Sequence, residues 1–204
     1  MIDTHAHICD PAFDDDRNEV LERAADAGIT VVIAVGEDLA DARKNIDLAA
    51  DHPVLRPAAG LYPTILDRAR AAEMHGFIRK ERAGLVAVGE VGLDFWIVKE
   101  ESDKELQKEI FRGFITLASE LDLPLNVHSR SAGRHAVALL LDCNAANVQM
   151  HAFDAKASAA QPALEAGYFF SIPPSVVRSR QKQKLVKKLP LSHLLVESDS
   201  PVLD

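Results

Sequence analysis

Six side chains able to hold a metal ion fall at or near the ends of short apolar runs in this 204-residue chain. They are His5 and His7 in Asp-Thr-His-Ala-His, then Glu90, His128, His151 and Asp199. Two histidines spaced by two on a strand point to one face, so His5 and His7 can grip one cation together. Glu90 lies between glycines in Val-Gly-Glu-Val-Gly-Leu-Asp. Burying a lone carboxylate there is costly unless a cation compensates for lost hydration. Six ligands exceed the need of one tetrahedral site. Two divalent cations fit better, one on His5 and His7, the other on His128 and His151, with Glu90 bridging. Such pairs sit roughly 3.5–4 Å apart and act on both the attacking and the leaving oxygen. Nitrogen-rich ligation suits Zn²⁺ or Mn²⁺ better than Mg²⁺.

Around this set, further residues have expected places. Asp199 is the ligand and general base at the last strand, preferred to Glu197 because it lies nearer the strand's carboxyl end. Period two puts both on one face. Asp3 is placed to orient the first histidine pair, and Asp94 to shape the pocket rim. Arg130, two residues after His128, suits a phosphate oxygen through its forked donors. In the basic run Arg178, Arg180, Lys182, Lys184, Lys187, Lys188, the first two are expected near the catalytic face. His52, His75, His135 and His193 read as surface residues.

These ligands can meet only if the chain brings its strand ends together. Strand-like runs are expected at 2–8, 29–35, 54–61, 85–94, 123–128, 148–153, 168–172 and 194–199. Helices are expected at 11–27, 38–51, 69–82, 103–121, 132–143, 157–166 and 179–188. Each strand is followed by a helical crossover except the last. Parallel strands require such crossovers, and eight of them close into a (β/α)8 TIM barrel whose catalytic face is the carboxyl end of the strands. An open doubly wound sheet is the runner-up, weakened by the lack of a Gly-rich fingerprint after the first strand. The chain reads as one domain over 1–204, C-terminally short and lacking the final crossover helix. About 250 residues is typical of this barrel.

The balance of 23 Lys and Arg against 31 Asp and Glu gives a net charge of −8, which argues against a broad duplex-binding surface. It leaves a nuclease open, because a metal cluster neutralises phosphate locally. No apolar run nears the roughly 20 residues that span a bilayer. The chain opens without a secretory leader, and Cys9 and Cys143 suggest no disulfide framework. A cytoplasmic location is expected, or the nucleus if the source is eukaryotic. A monomer is expected, with the uncovered flank of the eighth strand as the place for any oligomer contact.

The words DTHAH, GEVGLD, NVHSR, HAFD and ESDSP, in that order and at barrel spacing, resemble the TatD family of metal-dependent deoxyribonucleases, within the amidohydrolase-like barrels. The stretches NVHSRSAGR and AGYFFSIPPSVVRSRQKQKLVKKLPL look most like the third type of animal TatD-domain protein. The resemblance covers essentially the whole chain. It implies hydrolysis of phosphodiester bonds in DNA, of the 3′-exonuclease or abasic-site endonuclease type, with two divalent cations (Mg²⁺, Mn²⁺ or Zn²⁺). By carry-over the ligands are His5, His7, Glu90, His128, His151 and Asp199. The family usually carries Gly-x-His-Pro after its third strand, where this chain has Gly60-Leu61-Tyr62-Pro63, so Tyr62 takes a place on the substrate side. Phe95 and Trp96 follow Asp94 as aromatics that can stack on a base. Family members usually continue well past the final aspartate. The rival reading keeps the metals and gives them a small amide, lactone or phosphoester.

Overall fold

The computed structural model describes residues 1–202. Its strands are β1 (Ile2–Ala6), β2 (Val31–Ala34), β3 (Leu55–Ala59), β4 (Ala87–Gly92), β5 (Leu125–His128), β6 (Val148–Met150), β7 (Phe169–Ile172) and β8 (Leu194–Val196). Every neighbouring pair is parallel, in the order β1 to β8. The helices between them are α1 (Arg17–Asp26), α2 (Leu39–Asp51), α3 (Arg68–Lys80), α4 (Glu101–Leu121), α5 (Gly133–Asp142), α6 (Gln161–Glu165) and α7 (Arg180–Val186). This is the expected (β/α)8 barrel. Its seam is irregular: β8 meets β1 through Thr4 Oγ1 donating to the Val196 carbonyl (2.9 Å), Asp199 N–H to His5 O (2.9 Å) and His7 N–H to Ser200 O (2.8 Å).

Local chemistry sets where the helices begin. The side chains of Asp38 and Asp67 each accept two backbone N–H groups in the first turns of α2 and α3, and Ser179 accepts one in α7. Two helices are shorter than periodicity suggests. Asp10 accepts the N–H of Ala12 and Pro11 follows it, so a 3-10 turn (Pro11–Phe13) precedes α1, which starts only at Arg17. Residues 157–166 likewise divide into a 3-10 turn (Ala157–Ala160) and the five-residue α6.

The larger hydrophobic cluster packs α3, α4 and α5 on the central strands, with Met74, Ile78, Phe111, Phe114, Ile115, Val91, Val127 and Phe170 fully buried. A smaller one joins Leu21 of α1 to Ala6, Ile8, Val32 and Leu55. Among the described residues no helix follows β8, and Ile2 and Val196 on that flank are each 48% exposed. None of the described helices is long and apolar enough to cross a membrane.

Inside the barrel, below the carboxyl ends of the strands, the filling is polar. Gln149 Nε2 lies 3.1 Å from Thr4 O, 3.1 Å from Thr4 Oγ1 and 3.0 Å from Ser171 Oγ. Asn126 Nδ2 donates to the same Thr4 carbonyl at 3.1 Å. This network fills the space directly beneath His5, and it fixes how that ring is held.

Candidate metal centre

The strand ends bring His5, His7, Glu90, His128, His151 and Asp199 into one buried cluster. His5 Nε2 and His7 Nε2 are 3.3 Å apart. Glu90 Oε2 lies 3.4 Å from His7 Nε2 and 3.7 Å from His5 Nε2. Its other oxygen, Oε1, is 2.7 Å from His128 Nδ1 and 3.9 Å from His151 Nε2. Asp199 Oδ1 is 3.4 Å from His5 Nε2, and its Oδ2 is 3.8 Å from His151 Nε2. Glu90 thus faces one histidine pair with each oxygen. Its Oε2 is buried and has no hydrogen-bond partner. A buried carboxylate oxygen without a donor, ringed by imidazole nitrogens, is a donor set that fits a divalent cation. Triads of ligand atoms close enough to share an ion are His5–His7–Glu90, Glu90–His128–His151 and His5–His151–Asp199.

The second nitrogen of each key ring determines what the first can do. Asn126 gives its amide N–H to Thr4 O, so its Oδ1 is the acceptor facing His5 Nδ1 at 2.9 Å. His5 must then carry its proton on Nδ1 and present a bare Nε2 to the cluster. Glu197 Oε2 takes the same role for His151 Nδ1 at 2.9 Å, while its Oε1 accepts the N–H of Ala152. His128 differs, with Nδ1 on Glu90 and Nε2 on Asp94 Oδ2 at 3.0 Å. The ring of His151 stacks on His5 at 3.6 Å, which fixes the two planes.

Glycines let the strands approach this closely. Gly92 has φ +146°, and a Cβ there would meet the His128 carbonyl oxygen at 2.1 Å. At Gly89 it would meet the Asn126 Cβ at 2.6 Å. The glycine bracket around Glu90 is therefore what allows β4 to lie against β5 where both carry site residues.

Protonation follows from this packing. Burial first, then His151, lowers His5 to about 3, so it is neutral and able to bind metal. Burial would push Glu90 up, but the surrounding histidines His5, His128 and His151 hold it below the ordinary carboxylate range. For His128 burial is likewise overcome, by the hydrogen bonds to Asp94 and Glu90, which raise it to about 9. Asp199 is raised to about 6, chiefly by burial and then by Glu90 and Glu197 against the pull of His151.

Several expectations shift in detail. Asp3 does not hold either imidazole. Its carboxylate accepts the backbone N–H of His5 (3.2 Å) and Ser198 (3.0 Å), pinning the tail of β8 to β1. Asp94 is fully buried on His128 and not at the rim. Gln107 of α4 accepts its N–H and donates to the Pro63 carbonyl beside Tyr62. Period two fails for Glu197 and Asp199, because regular pairing ends at Val196 and Asp199 sits at φ +56°. Glu197 ends beneath His151, and Asp199 lines the cavity above. His75 is half-buried, edge-on to Phe114 at 4.4 Å, and its Nε2 has no hydrogen-bond partner.

All of the cluster but the fully buried His5 lines a cavity of about 480 Å³. Tyr62 and Arg130 both line it, as placed from sequence. The Tyr62 ring meets His128 edge-on at 5.1 Å, and burial, then Glu90 and Asp94, raise its hydroxyl. The Arg130 guanidinium rests over the Trp96 ring at 5.4 Å, and Trp96 is 56% exposed. From the basic run it is Lys182, not Arg178 or Arg180, that lines the cavity. Its Nζ donates to Ala152 O at 2.9 Å, and burial lowers its ammonium. Asp154 joins two walls, accepting Ser131 N–H (2.7 Å) and Gln181 Nε2 (3.0 Å). Sequence gave no distinctive signal for Asn126, since a polar residue in mid-strand is common. Glu197 lies two residues before Asp199, and Lys182 two after Arg180.

Comparison with known proteins agrees with this geometry. The family described as TatD related DNase matches residues 2–204. Human deoxyribonuclease TATDN3 is 42% identical over 218 residues, taking in all of this chain and 78% of the human protein. YabD of Bacillus subtilis, described as an uncharacterized metal-dependent hydrolase, is 31% identical over 211 residues, across all of this chain and 81% of its own. The crystal structure of YjjV, a TatD homolog from Escherichia coli, superposes with a TM-score of 0.90 at 28% identity, over all of this chain and 80% of that one. The barrel, its ordered strand-end motifs and the match along nearly its whole length agree: the chain belongs to the TatD related DNase family.

Proposed function

We propose that this protein hydrolyses phosphodiester bonds in DNA with two divalent cations, at strand 3′ ends and at abasic sites. Family membership makes it a metal-dependent hydrolase acting on ester bonds. The observation that carries the finer reading is Glu90, whose two oxygens face different histidine pairs while one of them lies buried without a hydrogen-bond partner. His5 and His7 would hold one cation and His128 and His151 the other, with Glu90 and Asp199 available to both. When bound, the cations would polarise phosphoryl oxygens and make water a better nucleophile at neutral pH.

The remaining work falls to the side chains. Asp199 accepts the proton of the attacking water. Its carboxylate reaches the cavity within 3.8 Å of His5 and His151, where it can take that proton. Tyr62 keeps its hydroxyl proton, because burial raises its pKa, and donates to a phosphate oxygen where the family usually has histidine. Arg130 grips the phosphate with its fork, and the exposed Trp96 ring beside it offers a base a surface to stack on. A cavity of this size receives an unstacked strand end or a sugar without its base more readily than a stacked, paired nucleotide.

The test pairs elemental analysis with a nuclease assay on one preparation. Single-stranded, nicked and abasic-site DNA are offered with Mg²⁺, Mn²⁺ or Zn²⁺. Two metal equivalents and cleavage in the wild type are expected, with both reduced in Glu90→Ala. Undiminished cleavage by that variant would sink the assignment. A steady preference for a small phosphoester or amide over DNA in the same panel would reassign the substrate.

A further inference from the structure

Three donors in the cavity have no use in the chemistry described above. Lys182 has three N–H groups and gives one to the Ala152 carbonyl; among the described residues no carboxylate oxygen lies within salt-bridge distance of it. Ser129 and Ser175 both line the cavity, and the Oγ of each is buried without a partner. Ser129 is only 2% exposed, so its hydroxyl is cut off from bulk water. They come from different parts of the chain: Ser129 follows β5, Ser175 lies in the 3-10 turn after β7 (Pro174–Val177), and Lys182 lies in α7.

Burying hydroxyls without acceptors is costly, and a half-buried ammonium with spare protons adds to that cost. All three point to one kind of ligand: the two hydroxyls have no partner, and Lys182 keeps N–H groups beyond the one it gives to Ala152. A phosphate offers several acceptor oxygens and negative charge together. Asp154, tied to Ser131 and to Gln181 beside Lys182, holds the wall that presents the lysine.

We infer that Lys182, Ser175 and Ser129 form a second phosphate subsite, distinct from the phosphate position served by Arg130 and the ligand cluster. It takes either the phosphodiester next to the scissile one or a terminal phosphate monoester. For its substrate the inference rests on the DNA-hydrolase reading, but the subsite can be probed apart from it.

The experiment titrates inorganic phosphate against metal-loaded wild type, Lys182→Gln, Lys182→Arg and Ser175→Ala, following thermal stabilisation, with metal content measured on each. Phosphate affinity should fall about tenfold or more in Lys182→Gln, less in Ser175→Ala, and recover largely in Lys182→Arg, with metal content unaltered. On DNA, Lys182→Gln should raise KM by about tenfold, more than it lowers kcat. Oligonucleotides with a neutral methylphosphonate beside the scissile bond, or with and without a terminal phosphate, separate the two sources. The substrate whose phosphate matters should lose its advantage in Lys182→Gln. Equal phosphate affinity in wild type and Lys182→Gln would overturn the subsite. So would a variant that loses metal and kcat together, which would make Lys182 a prop for Ala152 and His151. If wild type binds phosphate through Lys182 yet leaves DNA intact, the subsite stands and the DNA reading falls. If Lys182→Gln does not fold, Lys182→Arg and Ser175→Ala still decide.

Discussion

His5, His128 and His151 on the cavity floor each have their second ring nitrogen engaged by a buried partner: Asn126, Asp94 and Glu197 respectively. At the mouth, Arg130 is steadied by the face of Trp96 and Lys182 by one carbonyl. The floor sits on β1, β4 and β5 and just past β6 and β8, whereas the mouth is carried by loops and α7. Strand-borne groups are positioned by the ladder and the polar network beneath it, and loop-borne groups only by what they touch locally. The division predicts that substitutions on the floor alter metal binding and kcat, while those at the mouth alter KM. It also predicts that outer partners on the floor count for nearly as much as the ligands.

The largest break should come from Glu90→Ala, which removes the group common to both histidine pairs. We expect kcat/KM to fall by at least about 10³-fold together with bound metal. Next comes Glu197→Gln, which leaves every proposed ligand in place and removes one of the two acceptor oxygens that Glu197 offers to His151 Nδ1 and Ala152 N–H. Outer partners of this kind typically cost about 10–100-fold in metal affinity or activity. A metal titration by calorimetry checks it, and an unaltered affinity would mean that stacking on His5 alone fixes the His151 ring. At the mouth, Trp96→Ala should weaken single-stranded substrate by about 1–3 kcal/mol if a base stacks there, seen in KM with metal content constant. A change in kcat and metal content with KM untouched would erase the distinction between floor and mouth.

That the floor's candidate ligands meet was legible in the sequence, because their positions follow from strand periodicity and a closing barrel. The partners of those ligands were not legible, because they depend on which strands meet. Asn126 is ordinary in Leu-Pro-Leu-Asn-Val-His until β5 is known to face Thr4 and His5. Glu197 and Asp199 looked equivalent by alternation, and only the end of pairing at Val196 and the positive φ of Asp199 separate them. Asp94, at the end of its strand, reads as part of the pocket rim, yet the approach of β4 to β5 at Gly92 carries it under His128. The mouth was least legible. Which lysine of a basic run turns inward depends on where Ser179 starts α7, and that register lies outside any hydrophobic pattern.

The smallest expected effect tests whether the floor is organised before metal arrives. When protonated, His128 can donate from both ring nitrogens, to Glu90 and to Asp94. Burial disfavours the imidazolium, but those carboxylates prevail and raise His128 from 6.5 to about 9. A folded-state pKa above the unfolded one means that this stability is complete below pH 6.5 and is lost as pH rises through about 9. Asp199 adds a slope of the same sign lower down, fading as pH rises through about 6. The Tm of chelator-treated protein should therefore fall by a few degrees between pH 6.5 and 9, given about 2–4 °C per kcal/mol at this chain length. His128→Asn should flatten that part of the curve. Added Zn²⁺ should reverse it, because a cation takes the place of the imidazolium proton and binds better as protons leave. A flat Tm in the metal-free wild type would mean that His128 is already neutral there. The floor would then owe its order to packing and the Asn126 and Glu197 contacts alone, and the proton would have no part in holding the site for metal.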